Sequence, residues 1–200
     1  MASHTCPFCI YDLSGNTTGS CPECGRPVHR FTDRARAVVA EANRHALCLI
    51  ASIETPRRFS LWWNPRPIGR PEITPGHILL GILTGPQGVG YHAIKNCGAE
   101  IDRLRDAVIS RIPRRAPHDF PEGVRLPLSQ ASHQTVKVAI ENAVELRQNW
   151  VGTEHLLLAL CRDTREKTLK RQLADAGVLR TKVHDFIVAN MSAVKPPTDK

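Results

Sequence analysis

The sequence predicts a mainly α-helical protein made of two pseudo-symmetric four-helix repeats, preceded by a small zinc-binding unit with a short β-hairpin. Three observations favour this fold class. ITPGHILLGIL at residues 73–83 is echoed by VGTEHLLLAL at residues 151–160, a glycine recurs at nearly the same distance after each echo, and two CPxC pairs lie near the N-terminus. We expect residues 1–28 to form the zinc unit, residues 31–191 the helical domain and residues 192–200 a flexible tail.

The first element is defined by its cysteines, which follow a C-x2-C-x11-C-x2-C pattern at Cys6, Cys9, Cys21 and Cys24. Two-residue gaps place each pair of thiolates on one side of a tight turn, so two such turns can complete a tetrahedral zinc site. Four thiolates leave no position for water or substrate, which predicts one structural Zn²⁺. Two disulfides or a redox pair are the alternatives, which a cytosolic location disfavours. The segment resembles a zinc ribbon, a fold that binds nucleic acid in some proteins and protein in others.

The first repeat is expected at residues 31–112. Phe31 and Thr32 open it as a staple residue and an N-cap. The helix that follows has an apolar stripe formed by Val38, Val39, Ala42, Ala46, Leu49, Ile50 and Ile53. A second helix is centred on His77, a third ends before Gly98, and a fourth contains Leu104, Val108 and Ile112. Gly98 is expected to take the left-handed conformation that ends many helices.

The second repeat is expected at residues 128–191, after a linker at 113–127. Leu128 and Ser129 take the opening positions, and the stripe of the first helix is formed by Val136, Ile140, Ala143 and Val144. The later helices are marked by His155, by the stop at Gly177, and by Val183, Phe186 and Ile187. Each helix-centred histidine is expected to make a buried hydrogen bond, because no cluster of histidines accompanies it to bind a metal.

The spacing of the repeats locates an insertion. His155 follows His77 by 78 residues and Gly177 follows Gly98 by 79, whereas the openings differ by 97, so about 19 extra residues lie in the first repeat. They fall at about 54–72, a segment rich in proline and arginine. It is either a surface loop packed on itself or a partner contact made by Trp62, Trp63, Arg57, Arg58 and Arg66.

Three further cysteines, Cys48, Cys97 and Cys161, have no ligand spacing. We expect them to be buried as small apolar side chains.

The motifs FTDRARAVVAEA and GTEHLLLAL, together with the glycine-stopped third helices, resemble the Clp N-terminal repeat (Clp R) domain of the Clp unfoldases that feed bacterial proteases. The resemblance covers roughly residues 31–190 and implies an all-α domain of two four-helix motifs. In some members the glutamate of GTEH, with the hydroxyl residue that opens the same repeat, receives phosphorylated arginine on proteins marked for degradation. By position this implies Ser129, Thr153 and Glu154 as ligand-binding residues.

The first copy departs from this pattern. It keeps Thr32 but has Pro75 and Gly76 where the threonine and glutamate belong, so at most one such pocket is expected. The alternative for the second copy is purely structural, with Thr153 as an N-cap and Glu154 as a first-turn acid that suits the helix dipole.

No enzyme motif supports catalysis. GPQGVGYHAIK, from Gly85, has two glycines at phosphate-loop spacing, but Tyr91 and His92 stand where lysine and a hydroxyl residue are required. HExxH and GxSxG are absent from the 200 residues. We therefore expect neither nucleotide binding nor enzymatic activity.

The function predicted from these features is a non-catalytic protein-binding module: an adaptor, substrate receptor or modulator of a Clp-type ATP-dependent protease, with a Clp ATPase or its substrates as partners. The formal charge of +8 keeps an alternative open, namely nucleic-acid or ribonucleoprotein binding through the zinc ribbon and the basic helices around Arg162 to Lys182. A thiol redox sensor is a third hypothesis. The sequence lacks a secretory signal pattern and an apolar run of membrane-spanning length, which predicts a cytoplasmic protein.

Overall fold

The computed structural model describes residues 21–23, 30–51, 71–112, 123–148, 150–162 and 167–191. The first half contains β1 (Arg30–Phe31), α1 (Asp33–Ala51), α2 (Pro75–Thr84), α3 (Val89–Asn96) and α4 (Ile101–Ile109). The second half contains α5 (Gln130–Glu145), β2 (Trp150–Val151), α6 (Thr153–Arg162), α7 (Lys167–Asp175) and α8 (Arg180–Met191). The predicted mainly α class is confirmed, while most of the zinc ribbon and the insertion lie outside the described residues.

Two short parallel pairings join the halves of the molecule. Arg30 pairs with Trp150 and Phe31 with Val151, and an isolated bridge links Ile73 to Leu128. Each pairing joins the residues before the first helix of one repeat to the residues before the second helix of the other. Consequently α1 starts beside α6, and α2 starts beside α5.

Helices α1 and α2 pack closely against each other. The buried line of α1 consists of small residues, namely Ala35, Val38, Ala42 and Ala46, each at most 1% exposed. On α2, a Cβ added to Gly81 would collide with the Val38 carbonyl oxygen and lie 3.2 Å from the Ala42 nitrogen. Small side chains on one helix and a glycine on the other therefore bring the two backbones together.

Most of the predicted apolar stripes are confirmed. Val38, Ala42, Ala46, Val136, Ile140 and Ala143 are buried, as are Leu104, Val108, Val183 and Ile187 of the fourth helices. Val39, Leu49, Ile112 and Phe186 are half-buried at the edges of their stripes. The prediction for Val144 is wrong, because this side chain is 60% exposed at the last turn of α5, where the stripe passes out of contact with its neighbours.

The three isolated cysteines differ. Cys161 is buried as predicted and Cys97 is half-buried, but Cys48 is exposed. Cys48 follows the buried Ala46 by two residues, which places it about 200° around the helix, on the opposite face. The prediction for Cys48 overlooked this rotation.

The helix ends predicted at Thr32, Ser129, Gly98 and Gly177 are confirmed. The hydroxyl of Thr32 accepts a hydrogen bond from the Ala35 N–H at 3.2 Å, and that of Ser129 accepts one from the Ser132 N–H at 3.1 Å. Gly98 and Gly177 have positive φ angles of 81° and 78°. None of the described helices is long and apolar enough to span a membrane.

Candidate functional site

The N-termini of α1 and α6 lie side by side because each helix directly follows one strand of the β1–β2 pair. The Thr32 N–H donates to the Val151 carbonyl at 3.0 Å and fixes this arrangement. Amide groups in the first turn of a helix have no partner within the helix and carry a partial positive charge. Their convergence makes this corner a favourable place for a negatively charged group.

Glu154, in the first turn of α6, places its carboxylate at this corner. The side chain folds back over Gly152, where an added Cβ would collide with the carboxylate, and is 13% exposed. Burial raises the pKa of Glu154, although its own backbone N–H, the Thr153 hydroxyl and the charge of Arg34 act in the opposite direction. The side chain is thus largely desolvated, and a small fraction of it remains accessible.

His155, the next residue, is buried at 0% exposure and supports the turn before α6. Its Nδ1 accepts a hydrogen bond from the Gly152 N–H at 2.9 Å, so the neutral ring carries its proton on Nε2. Burial lowers the pKa of His155 to about 4. In the first repeat, His77 likewise accepts from the Thr74 N–H at 3.0 Å. The predicted buried hydrogen bonds of both histidines are confirmed.

Thr153 has a different role from the N-cap predicted for it. It is the first residue of α6, is 2% exposed, and accepts a hydrogen bond from the Gly90 N–H of α3 at 3.0 Å. Its hydroxyl also donates toward the Glu154 carboxylate at 3.4 Å. A Cβ on Gly88 or Gly90 would collide with Thr153. The glycines of GPQGVG therefore permit α3 to contact α6, a purpose that the sequence motif did not reveal.

Ser129 does not lie near Glu154. Its N–H donates to the Ile73 carbonyl at 2.9 Å at the start of α5, whereas Asn142, near the end of α5, contacts the His155 carbonyl. Thirteen helical residues between Ser129 and Asn142 correspond to roughly 20 Å. The hydroxyl residue beside α6 is instead Thr32, which opens the other repeat. The predicted group of Ser129, Thr153 and Glu154 is thus not assembled, because helices α5 and α6 run in opposite directions.

The corresponding corner of the first repeat is closed. Thr74 caps α2 through reciprocal hydrogen bonds with His77, and Gly76 occupies the position of Glu154. A Cβ on Gly76 would lie 3.3 Å from Cγ1 of Ile112, so this apolar side chain covers the position. Among the described residues, therefore, only the junction of α1 and α6 carries a carboxylate at this position.

The remaining predicted site residues fall largely outside the described part of the chain. Cys21 is described and is 1% exposed, whereas Cys6, Cys9 and Cys24 lie outside it, as do Trp62, Trp63, Arg57, Arg58 and Arg66. Within the described ranges, no group of three or more histidine, cysteine or acidic residues is arranged to hold a metal ion.

The groups at the α1–α6 corner are suited to binding a ligand. A carboxylate with two acceptor oxygens can pair bidentately with a guanidinium group. The neighbouring helix N-termini favour an anion such as phosphate. A group carrying both charges fits this combination better than a simple cation or anion.

Comparison with known proteins matches the fold and the sequence. A family model described as the Clp repeat (R) N-terminal domain matches residues 68–187. An uncharacterized protein of Mycobacterium tuberculosis (strain ATCC 25618 / H37Rv), Rv2667, is 33% identical over 131 residues, which cover 66% of this chain and 42% of that protein. The negative regulator of genetic competence ClpC/MecB of Bacillus subtilis (strain 168) is 28% identical over 165 residues, covering 80% of this chain and 17% of that protein. The chain therefore spans less than half the length of either relative.

The fold is also similar to a solved structure. The N-terminal domain of Hsp104 from Candida albicans superimposes with a TM-score of 0.58 at 17% identity, covering 83% of this chain and 94% of that one.

Proposed function

The chain belongs to the Clp repeat (R) N-terminal domain family, and on that premise we propose that it is a non-catalytic protein-recognition module of a Clp-type ATP-dependent protease or chaperone system. It acts in the cytoplasm as a substrate receptor, adaptor or modulator. Sequence similarity to ClpC/MecB of Bacillus subtilis and to the chaperone protein ClpB of Oceanobacillus iheyensis supports this assignment.

One observation carries the proposal further, namely the partly accessible carboxylate of Glu154 between the N-termini of α1 and α6. A carboxylate that burial has largely stripped of water binds a cation more strongly than a solvated one does. No described residue places a basic group within ion-pair distance of the Glu154 carboxylate other than the neutral His155 at 3.4 Å. Arg34 acts on it only through its field. The carboxylate is therefore available to a partner.

The ligand we propose for this corner is a phosphorylated arginine on a partner protein. Its guanidinium group pairs with Glu154, and its phosphate lies toward the first-turn amides and the Thr32 hydroxyl. Thr32 uses its oxygen to accept the Ala35 N–H, so its own hydroxyl proton remains able to donate.

The experiment that tests the general function is affinity capture from the native cell extract at about 50 mM and about 500 mM salt. We expect a Clp ATPase or its substrates to be retained at both concentrations, and Glu154→Gln to retain fewer substrates. Retention of nucleic acid alone, lost steeply as salt rises, would contradict the proposal and favour the nucleic-acid alternative.

We also propose that Cys6, Cys9, Cys21 and Cys24 hold one structural Zn²⁺. The cysteine spacing and the burial of Cys21 support this site. One zinc per chain is expected by elemental analysis, and Cys21→Ser should lose the metal while most of the helical circular dichroism remains. A zinc-free native protein, or global loss of helicity in Cys21→Ser, would contradict the site or its independence from the helices.

A further inference from the structure

An apolar surface remains exposed where α5 ends and β2 begins. Val144 is 60% exposed and Trp150 is 45% exposed, the two highest values among the large apolar side chains of the described residues. Trp150 follows Val144 by six residues, and α5 contacts β2, so both exposed side chains lie at the same junction. Together with Arg147 they define what we call the α5–β2 surface. Adjacent exposed apolar side chains of this size are typical of interaction sites.

Arg147 ends α5 in a backbone conformation that normally selects glycine. Its φ is 55°, its N–H donates to the Val144 carbonyl at 2.9 Å, and the next N–H donates to the Ala143 carbonyl at 2.8 Å. Helices α3 and α7 end with the same hydrogen-bond pattern, but Gly98 and Gly177 occupy the equivalent position. A side chain is strained in this conformation.

The strained backbone indicates that the Arg147 side chain has a function other than stabilising the fold. Non-glycine residues held in the left-handed region are concentrated at functional sites. The guanidinium group is exposed and forms no ion pair with a described residue, whereas its neighbour Glu145 is engaged by Arg162 at 3.5 Å and Arg180 at 3.9 Å. Arg147 is therefore a cation presented beside two exposed apolar side chains.

We propose that the α5–β2 surface binds an acidic segment of a partner protein that carries a large apolar side chain. Arg147 pairs with a carboxylate of the segment, and Trp150 and Val144 cover its apolar side chain. Aromatic residues and arginine are the side chains that dominate binding energy at protein interfaces, and the charge of +8 on the chain favours an acidic partner. This site is distinct from Glu154, which would repel an acidic segment.

The test is fluorescence anisotropy on the full chain with a labelled peptide of sequence EDEFLEDE. The controls are EDESSEDE, which lacks the apolar pair, and an eight-nucleotide thymidine strand, which is a polyanion without peptide chemistry. The variants are Trp150→Ser and Arg147→Gly, with Val188→Ser as the matched control, because Val188 is 44% exposed, nearly as much as Trp150, and belongs to α8 rather than to α5 or β2.

We expect binding of EDEFLEDE to weaken about tenfold or more in Trp150→Ser and Arg147→Gly, and to be unchanged in Val188→Ser. Arg147→Gly should also unfold at a higher temperature, because glycine relieves the strained φ; a merely structural role predicts this gain without the loss of binding. No binding at about 1 mM peptide would overturn the proposal. Equal binding of EDESSEDE or of the thymidine strand would overturn it as well.

Discussion

At the residue scale, burial acts on two neighbouring side chains with opposite consequences for charge. Glu154 and His155 share one turn of α6, and desolvation disfavours the charged form of each. The pKa of Glu154 is therefore raised, and that of His155 is lowered to about 4. Burial thus destabilises the charged form of the Glu154 carboxylate, whereas His155 is neutral at pH 7 and holds the turn.

Because the desolvated carboxylate of Glu154 lowers the unfolding free energy, we expect Glu154→Gln to stabilise the fold at pH 7. The dipole of α6 favours the carboxylate by roughly 0.3–1 kcal/mol, but the direction of the pKa shift shows that desolvation prevails. Since the folded pKa lies above the ordinary value of 4.5, the penalty is full above the folded pKa and disappears below about pH 4.5. We expect a gain of about 1 kcal/mol in unfolding free energy at pH 7, measured by urea denaturation, and no gain at pH 4. A loss at pH 7 would contradict this account of Glu154.

His155 makes the opposite contribution to pH dependence. Its folded pKa of about 4 lies below the ordinary 6.5, so the unfolded chain binds the extra proton first and stability falls as pH drops from 6.5 to about 4. The loss attributable to this residue is about 3 kcal/mol. His155→Gln, whose amide oxygen can still accept the Gly152 N–H, should be less stable at neutral pH but should show a flatter profile over this range. Parallel profiles for the two proteins would contradict the assignment.

At the element scale, the sequence predicted the helices and their ends but not how the two repeats interlock. The caps at Thr32 and Ser129, the glycine stops and stripes such as Val38–Ala42–Ala46 are local signals, each contained in a few residues, and they are confirmed. The β1–β2 pairing joins strands of two residues each, which are too short to show an alternating pattern. This pairing places Thr32 rather than Ser129 beside α6. The hydroxyl residue that accompanies Glu154 therefore could not be predicted from the sequence.

The close approach of α1 and α2 gives an element-scale prediction. Gly81→Ala should lower the unfolding free energy by about 1–3 kcal/mol, because the added methyl group meets the backbone of α1. Gly98→Ala is the control, since space around Gly98 is open and only its φ of 81° is unfavourable; we expect a loss of about 1 kcal/mol there. Chemical denaturation of both variants measures the difference. A neutral Gly81→Ala would show that the two helices lie farther apart than described.

At the scale of the whole molecule, the site depends on contacts between the repeats rather than within one of them. The β1–β2 pair joins α1 to α6, and the hydrogen bond from Gly90 to Thr153 joins α3 to α6. The turn that carries Glu154 thus belongs to the second repeat but is joined to the first through Val151 and Thr153. Duplication of the four-helix unit supplied two such corners, of which Ile112 covers the other.

The buried hydrogen bond between Gly90 and Thr153 is expected to couple the repeats. Thr153→Val keeps the side-chain shape but leaves the Gly90 N–H buried without its acceptor, which should cost about 1–3 kcal/mol of unfolding free energy. Thr153→Ser retains the hydroxyl and should restore most of the loss. Amide hydrogen exchange at Gly90 provides the local readout, with faster exchange expected only in the valine variant. Equal losses in both variants would indicate that packing, not the hydrogen bond, joins α3 to α6.

The most direct test of the junction site is calorimetry of phosphoarginine binding to a matched pair of variants, Thr32→Ala and Ser129→Ala. Each removes the N-cap of the first helix of a repeat, at a similar cost of about 1 kcal/mol, so the two differ in location rather than in kind. The account predicts one binding site per chain, lost in Glu154→Ala and in Thr32→Ala and retained in Ser129→Ala. Loss of binding in Ser129→Ala with retention in Thr32→Ala, or no binding by the unmodified protein, would contradict it.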